Sequence, residues 1–463
     1  MGLSITELPV IRAGVRLLDR GTGSAPAVKR ALRYLFPDNW SFLLGEIALY
    51  AFFVLVATGV YLVFFFQDST APTHYHGSYA PLDGQEMTKA YKSVLDISFS
   101  VRAGLLIRQT HHWAANVFVA AIVLHLFRVF FTGAFRSPRR LTYYLGLTML
   151  VLSLLEGYAG YSLADDLLSG MGLAIGYSVL LSVPLIGANL GALVWGGPFP
   201  GAADFWSRLY ITHVLILPVV IGGLLAVHLA LVAIRHHTQF RESSRTTEHR
   251  IVGVPTFPAQ APRSLGLMFA VFGVLFLLGG LVQINPVWLW GPYHVGASTN
   301  GAQPDWYLGW LIGALRLVPG FDVVVDQRTL IPNPFWGGVL FPGIVFGLLF
   351  AWPTLERLFA RDHEPHNLLQ RPRDNPWRTS IGTAAVAWVF VVFLAGSADR
   401  FDVMFGADYA TQIKVYRVLI WVVPLLVLLV VRRACIELQA ADRTAAERRE
   451  AAIPRPVEAR RRV

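Results

Sequence analysis

The chain has 463 residues, 54% of them hydrophobic and only 15% charged, with a mean hydropathy of +0.51. Soluble domains carry about 25% charged residues, so the composition excludes an ordinary soluble protein and predicts an all-α polytopic membrane protein. The net charge of +10 does not indicate nucleic acid, because the basic residues stand between apolar spans. One cysteine, Cys435, excludes internal disulfides, a covalent CxxCH haem and a cysteine-held iron–sulfur cluster.

Residues 1–40 carry Arg12, Arg16, Arg20, Lys29, Arg30 and Arg33 among apolar residues and read as a cytoplasmic surface segment. They are not a cleavable signal, since the first strongly apolar span begins only near Ser41 and is long enough to stay in the membrane. Eight spans follow, at about 41–66, 104–132, 142–163, 209–234, 265–284, 337–357, 380–397 and 412–433. Basic residues gather before the first span and after the second, fourth, sixth and eighth. By the positive-inside rule both termini are cytoplasmic, and eight spans satisfy the even number this demands. The expected division is a four-helix membrane domain at 41–240, a cytoplasmic linker at 241–264, a C-terminal membrane domain of four helices at 265–434 and a cytoplasmic tail at 435–463. The tail's Ala, Arg and Glu content suggests an exposed helix or disorder.

The second and fourth spans each hold two histidines, and ionisable groups in hydrocarbon are costly enough that function is their default explanation. His111 and His125 lie 14 residues apart, His213 and His228 lie 15 apart. At about 100° and 1.5 Å per residue, both intervals return to nearly the same helix face roughly 21 to 22 Å along. Both helices run inward, so His111 meets His213 at outer depth and His125 meets His228 at inner depth. Paired neutral imidazoles saturate a haem iron and make it an electron carrier. His112, with an interval of 13 to His125, turns to the far side of its helix. Gly45 and Gly59 on the first span, and Gly146 and Gly160 on the third, repeat the 14-residue interval and leave room for a flat ligand.

Arg108-Gln-Thr-His111, His125 with Arg128, and Arg208 with His213, Pro218 and His228 resemble the haem helices of the cytochrome b family of quinol:cytochrome c reductases. Pro304-Asp305-Trp306-Tyr307 is similar to that family's PEWY quinol-site signature, and the resemblance runs from about Trp40 to Arg433. It implies a dihaem bundle with two non-covalent b-type haems. His111 and His213 would hold the low-potential haem, His125 and His228 the high-potential one, with Arg108, Arg128 and Arg208 near the propionates. In this reading Asp305 is the base that takes a proton from quinol, one methylene shorter than the usual Glu. Tyr307 hydrogen-bonds the quinone oxygen, and Trp306 and Trp310 form apolar walls. Glu156, Asp165 and Asp166 are expected in the proton exit.

At the inner quinone site, Glu46 is expected to deliver protons, with an arginine partnership as the alternative, and His236 or His237 to contact quinone near Asn39 and Ser41. No acidic residue opens the fifth span around Ser264, where mitochondrial relatives carry one. The runs GYSLADDLLSG and QINPVWLWGPY resemble the actinobacterial form. That implies a bacterial plasma membrane, menaquinol as donor, a Rieske iron–sulfur protein and a c-type cytochrome as partners, and a dimeric complex associated with a terminal oxidase. Two other readings remain. A dihaem anchor of a quinone-linked dehydrogenase leaves the last four helices and PDWY without purpose, and a haem-free proton-coupled transporter predicts a colourless protein with no need of 14-residue intervals.

Overall fold

Backbone in hydrocarbon has no partner but itself, so each long apolar run closes into a helix. The computed structural model describes residues 13, 23 and 25–451, except 203, 242–244 and 300–303. The expected surface positions Arg12, Arg16 and Arg20, and the last residues of the tail, lie outside the described residues. In chain order the helices are α1 (Ala25–Leu32), α2 (Trp40–Val63), α3 (Lys89–Phe99), α4 (Gly104–Phe131), α5 (Arg140–Ser162), α6 (Leu167–Leu181) and α7 (Gly187–Trp195). They continue as α8 (Phe205–Arg235), α9 (Ala261–Leu281), α10 (Trp306–Leu317), α11 (Trp336–Ala360), α12 (Pro376–Gly396), α13 (Ala398–Phe405) and α14 (Tyr409–Ala451). Eight of the fourteen are long and apolar enough to cross a membrane, at the eight expected places. Three two-stranded antiparallel pairs punctuate the ends, among them Leu35–Phe36 with Val254–Pro255, which ties the N-terminal segment to the approach of α9.

Helix α2 shows how one face is chosen. Ala48, Ala51, Val54 and Thr58 are buried at helical spacing, while Phe53, Val56 and Val60 on the other side are exposed to the surroundings. The buried stripe meets Ala114, Phe118 and Ala121 of α4 in one core that also takes in Leu147 of α5. Small residues on both sides let the two backbones approach closely, the usual means of packing helices in lipid.

Two of the spans contain or open with a π turn, at Thr212–Ile216 and Trp336–Leu340. Each closes one residue before a proline, namely Pro218 and Pro342. Proline has no N–H for the bond four residues back and its ring crowds that carbonyl. The preceding amide instead reaches five residues back, Leu217 N–H to Thr212 O in α8.

Between the third and fourth spans, where the sequence suggested no element, α6 and α7 lie across one end of the bundle. The boundary expected at 434 is not a break. Helix α14 runs 43 residues to Ala451, sustained by helix-forming Ala, Glu and Arg, and Asp442 is held by Arg371 at 3.0 Å and Arg373 at 2.8 Å.

At the opposite end Arg378 is 1% exposed, its Nη1 donating to Glu356 at 2.9 Å with Gln370 as a further partner. Gly133, at φ +67°, gives it room, since a Cβ there would stand 2.5 Å from Arg378 Nη1. Removing one partner of a buried pair strands the other's charge, at a cost of about 3–5 kcal/mol. Arg378→Met is therefore expected to lower the thermal midpoint of the detergent-solubilised protein sharply, whereas Arg433→Met, at an exposed pair, leaves it unchanged.

Candidate functional site

The four histidines form two tiers. His111 of α4 and His213 of α8 face each other with ring centroids 6.2 Å apart and planes at 81°. Two metal–nitrogen bonds of about 2 Å, plus the inset of each nitrogen from its ring centre, come to about the same distance. His111 Nδ1 lies 2.9 Å from Thr58 Oγ1, and His213 Nδ1 lies 3.0 Å from Glu156 Oε1 and 3.2 Å from the Glu156 carbonyl. With both Nδ1 atoms engaged, both Nε2 atoms remain for a metal, the arrangement that fixes the tautomer of a ligating histidine.

Each histidine sits against one of the four glycines. A Cβ on Gly59 would meet His111 Cε1 at 3.4 Å, one on Gly45 would meet His125 Cε1 at 3.4 Å, and one on Gly146 would meet His228 Cε1 at 3.6 Å. On Gly160 it would fall 2.4 Å from His213 Cε1, closer than any side chain tolerates. The 15-residue interval on α8 is reconciled with the 14-residue one on α4 by the π turn at 212–216, which takes in an extra residue without advancing the helix.

His125 and His228 line a cavity of about 820 Å³ together with Gly45, Gly146 and Arg128. Arg128 is half-buried, lies 4.1 Å over the Phe42 ring, and its buried Nε and Nη2 have no hydrogen-bond partner; Nε of Arg108 is likewise unpartnered. Unpaired guanidinium nitrogens suit the carboxylates of a propionate-bearing group. The tiers and these orphaned donors fit haem, while the glycines, expected to clear a flat ligand, make room for the imidazoles themselves. Arg208 does not join them, because it is exposed and paired with Asp204.

At the His111 end, Asp305 stands at the start of α10, with Oδ1 2.6 Å from His112 Nε2 and Oδ2 accepting from Tyr307 OH at 2.9 Å. Burial alone would push this carboxyl up; the His112 ring beside it, with hydrogen bonds from His112, Tyr307 and Asn116, outweighs burial and holds it below the usual carboxylate range. Asp305 is thus an anion at neutral pH. Burial and the adjacent carboxylate push the Tyr307 hydroxyl well above its usual range, so it keeps its proton. Its ring lies over Gly157, where a Cβ would fall 2.5 Å from the hydroxyl, and Trp310 Nε1 donates to the Tyr307 carbonyl at 2.8 Å. Trp310 is buried as an apolar wall should be, but Trp306 is 41% exposed and touches Tyr307 only edge-on at 5.8 Å.

The two aspartates after α5 differ. Asp166 caps α6, accepting from Leu168 N–H and, at 2.7 Å, from Ser169 Oγ. Asp165 accepts from Thr88 at 2.6 Å, and burial pushes its carboxyl up to about 7. Glu156, grouped with them in the sequence, lies instead on the His213 ring.

The cavity at the other end extends to Tyr34, Asn39, Glu46 and His237. Glu46 has no arginine partner among the described residues; it accepts from Tyr50 at 3.2 Å and from Gln260 at 3.4 Å, and Gln260 also reaches Ser264. A carboxylate from α2 thus stands beside the start of α9, where the sequence has none of its own. His237 Nδ1 lies 3.2 Å from Tyr34 OH, with Phe36 and Phe42 against its ring. Burial, then the Arg128 charge, lowers its pKa to about 4, leaving it neutral. Arg139 holds this turn by donating to the carbonyls of Arg235 at 2.9 Å and His236 at 3.0 Å, closing the end of α8. Ser41 is buried nearby, bonded to Asn39.

The sequence reading missed His112, Thr58, Gly157, Tyr34, Gln260 and Arg139. His112 had a signal: the interval that turns it from the His111 face aims it at the side where Asp305 arrives. The others depend on long-range contacts with no local signature.

The chain was compared with known proteins. A family profile described as cytochrome b(N-terminal)/b6/petB matches residues 116–292. The cytochrome bc1 complex cytochrome b subunit of Mycobacterium tuberculosis (strain ATCC 25618 / H37Rv) is 48% identical over 422 residues, 91% of this chain and 76% of that one. Its counterpart in Corynebacterium diphtheriae is 44% identical over 430 residues, 93% and 79% of the two chains. In fold the chain is similar to a structure described as a hyperthermophilic respiratory Complex III, with a TM-score of 0.64 at 19% identity, covering 89% of this chain and 99% of that one. Likeness of this degree over more than nine-tenths of the chain carries the conclusion the histidine tiers point towards: this multi-pass membrane protein belongs to the cytochrome b subunits of the cytochrome bc1 complex, and so to the quinol:cytochrome c oxidoreductases.

Proposed function

We propose that the chain oxidises quinol, with menaquinol as the native donor, at the Asp305 site on the outer side of a bacterial plasma membrane. The observation that carries this reading is the apposition of four histidines to four glycines in two tiers, joined at one end by an anionic carboxylate and at the other by a cavity holding neutral His237. His111 and His213 would hold one b-type haem, and His125 and His228 a second. When bound, the two groups supply one-electron transfer along the membrane normal.

The protein's own residues do the rest. Tyr307 offers its hydroxyl to the quinol oxygen, and Asp305, already ionised, accepts the proton that leaves with oxidation. Asp165 holds its proton near neutral pH and serves the exit to water. At the inner side His237 orients quinone, and Glu46 with Tyr50 and Gln260 delivers the protons that reduction consumes. Uptake inside and release outside make the reaction proton-translocating. The basic residues Arg128, Arg136, Arg139 and Arg235 cluster at the His237 end, which supports a cytoplasmic location for it and for both termini. With one cysteine the chain has no iron–sulfur or c-haem ligands, so a Rieske protein and a c-type cytochrome complete the path, within a dimeric complex associated with a terminal oxidase.

A reduced-minus-oxidised spectrum with haem quantified per polypeptide tests the reading. Two b-type haems per chain, both reduced by added menaquinol, are expected; none, or reduction only by dithionite, would overturn it.

A further inference from the structure

The two tiers differ in what stands behind the metal-binding imidazoles. At the outer tier, Glu156 of α5 brings Oε1 to 3.0 Å from His213 Nδ1, and the Glu156 carbonyl lies 3.2 Å from the same atom. His111 Nδ1 faces the neutral hydroxyl of Thr58 and, among the described residues, no carboxylate. At the inner tier, neither His125 Nδ1 nor His228 Nδ1 has a carboxylate partner among the described residues.

An imidazole bound through Nε2 keeps its proton on Nδ1, so that proton must point at Glu156. A carboxylate accepting it makes the ring a stronger donor to the metal and orients it. A stronger donor stabilises the oxidised metal more than the reduced one, one of the means by which a protein sets a haem's potential.

We infer that Glu156 is a positioning residue for His213 that lowers the reduction potential of the outer haem relative to the inner, so that the descent driving electrons across the membrane is written into α5. The inference rests on the two-haem reading given above. The Glu156 side chain packs against His213 at about one-fifth exposure, with Oε2 buried and unpartnered, so the contact is held within the bundle and not at its surface.

Glu156→Gln keeps the size and an oxygen acceptor while replacing the carboxylate by a weaker amide. In the assembled complex, a potentiometric titration is expected to show the equilibrium constant for reducing the outer haem raised by about tenfold, equivalent to 59 mV for a one-electron couple. The inner haem keeps its potential. A Gln variant that binds both haems with the outer potential unchanged would overturn the inference while leaving the two-haem reading intact; absence of haem from the unmodified protein would overturn that reading instead. Should the Gln variant lose its outer haem, Glu156→Asp decides. With the carboxylate withdrawn by one methylene, the outer potential must rise above that of the unmodified protein, and an unchanged value refutes the assignment.

Discussion

Asp305→Asn is expected to cut quinol oxidation by the assembled complex by about 10²–10⁴-fold, the range a positioned proton acceptor contributes. That is about 3–5 kcal/mol of transition-state stabilisation. The amide keeps the shape of the side chain and can still accept from Tyr307, but it takes no proton at any physiological pH. Both haems remain bound and both remain reducible by dithionite, because Asp305 touches His112 and Tyr307 and no metal-binding histidine. Steady-state turnover with a menaquinol analogue, set beside the spectrum of the same preparation, separates the loss of proton acceptance from loss of structure. Unimpaired turnover would remove Asp305 from the reaction.

His125→Ala is expected to halve the haem content, from two per chain to one, and to abolish reduction of quinone at the inner side. Its partner His228 remains on α8, yet a single imidazole in a cavity of about 820 Å³ cannot fix a large planar group. The outer tier depends on His111, His213 and their own glycines, so its share of the spectrum survives. A variant that retained both haems would show that the inner pair is not the ligand set.

Much of this was legible before any coordinates. The eight spans follow from apolar length and the two histidine pairs from intervals near 14, because both are properties of single helices; that each glycine faces an imidazole was not legible, since the glycines read as room for a flat ligand. The carboxylate at Asp305 was legible too, though its partner was not. His112 could be read only as facing away from the haem face; that Asp305, nearly two hundred positions later, arrives there is a matter of tertiary packing. The partner of Glu156 was hidden for the same reason, since position along α5 gives its depth but not the ring it leans on. The inner site was least legible. Tyr34, Gln260 and Arg139 reach it from surface segments whose docking no periodicity announces. Trp306, inside the motif and read as a wall, is 41% exposed, which the four letters do not announce.

The widened turn before Pro218 ties together two traits that a sequence comparison would score separately. One residue of α-helix is worth about 100° of rotation, so restoring a regular pitch by replacing the proline alone would swing His213 out of phase with His228, and deleting a residue alone would do the same in the other direction. Only the two changes together return the ring to its neighbour. In this chain the odd spacing and the proline are one geometric device, and altering either alone misaligns the ring.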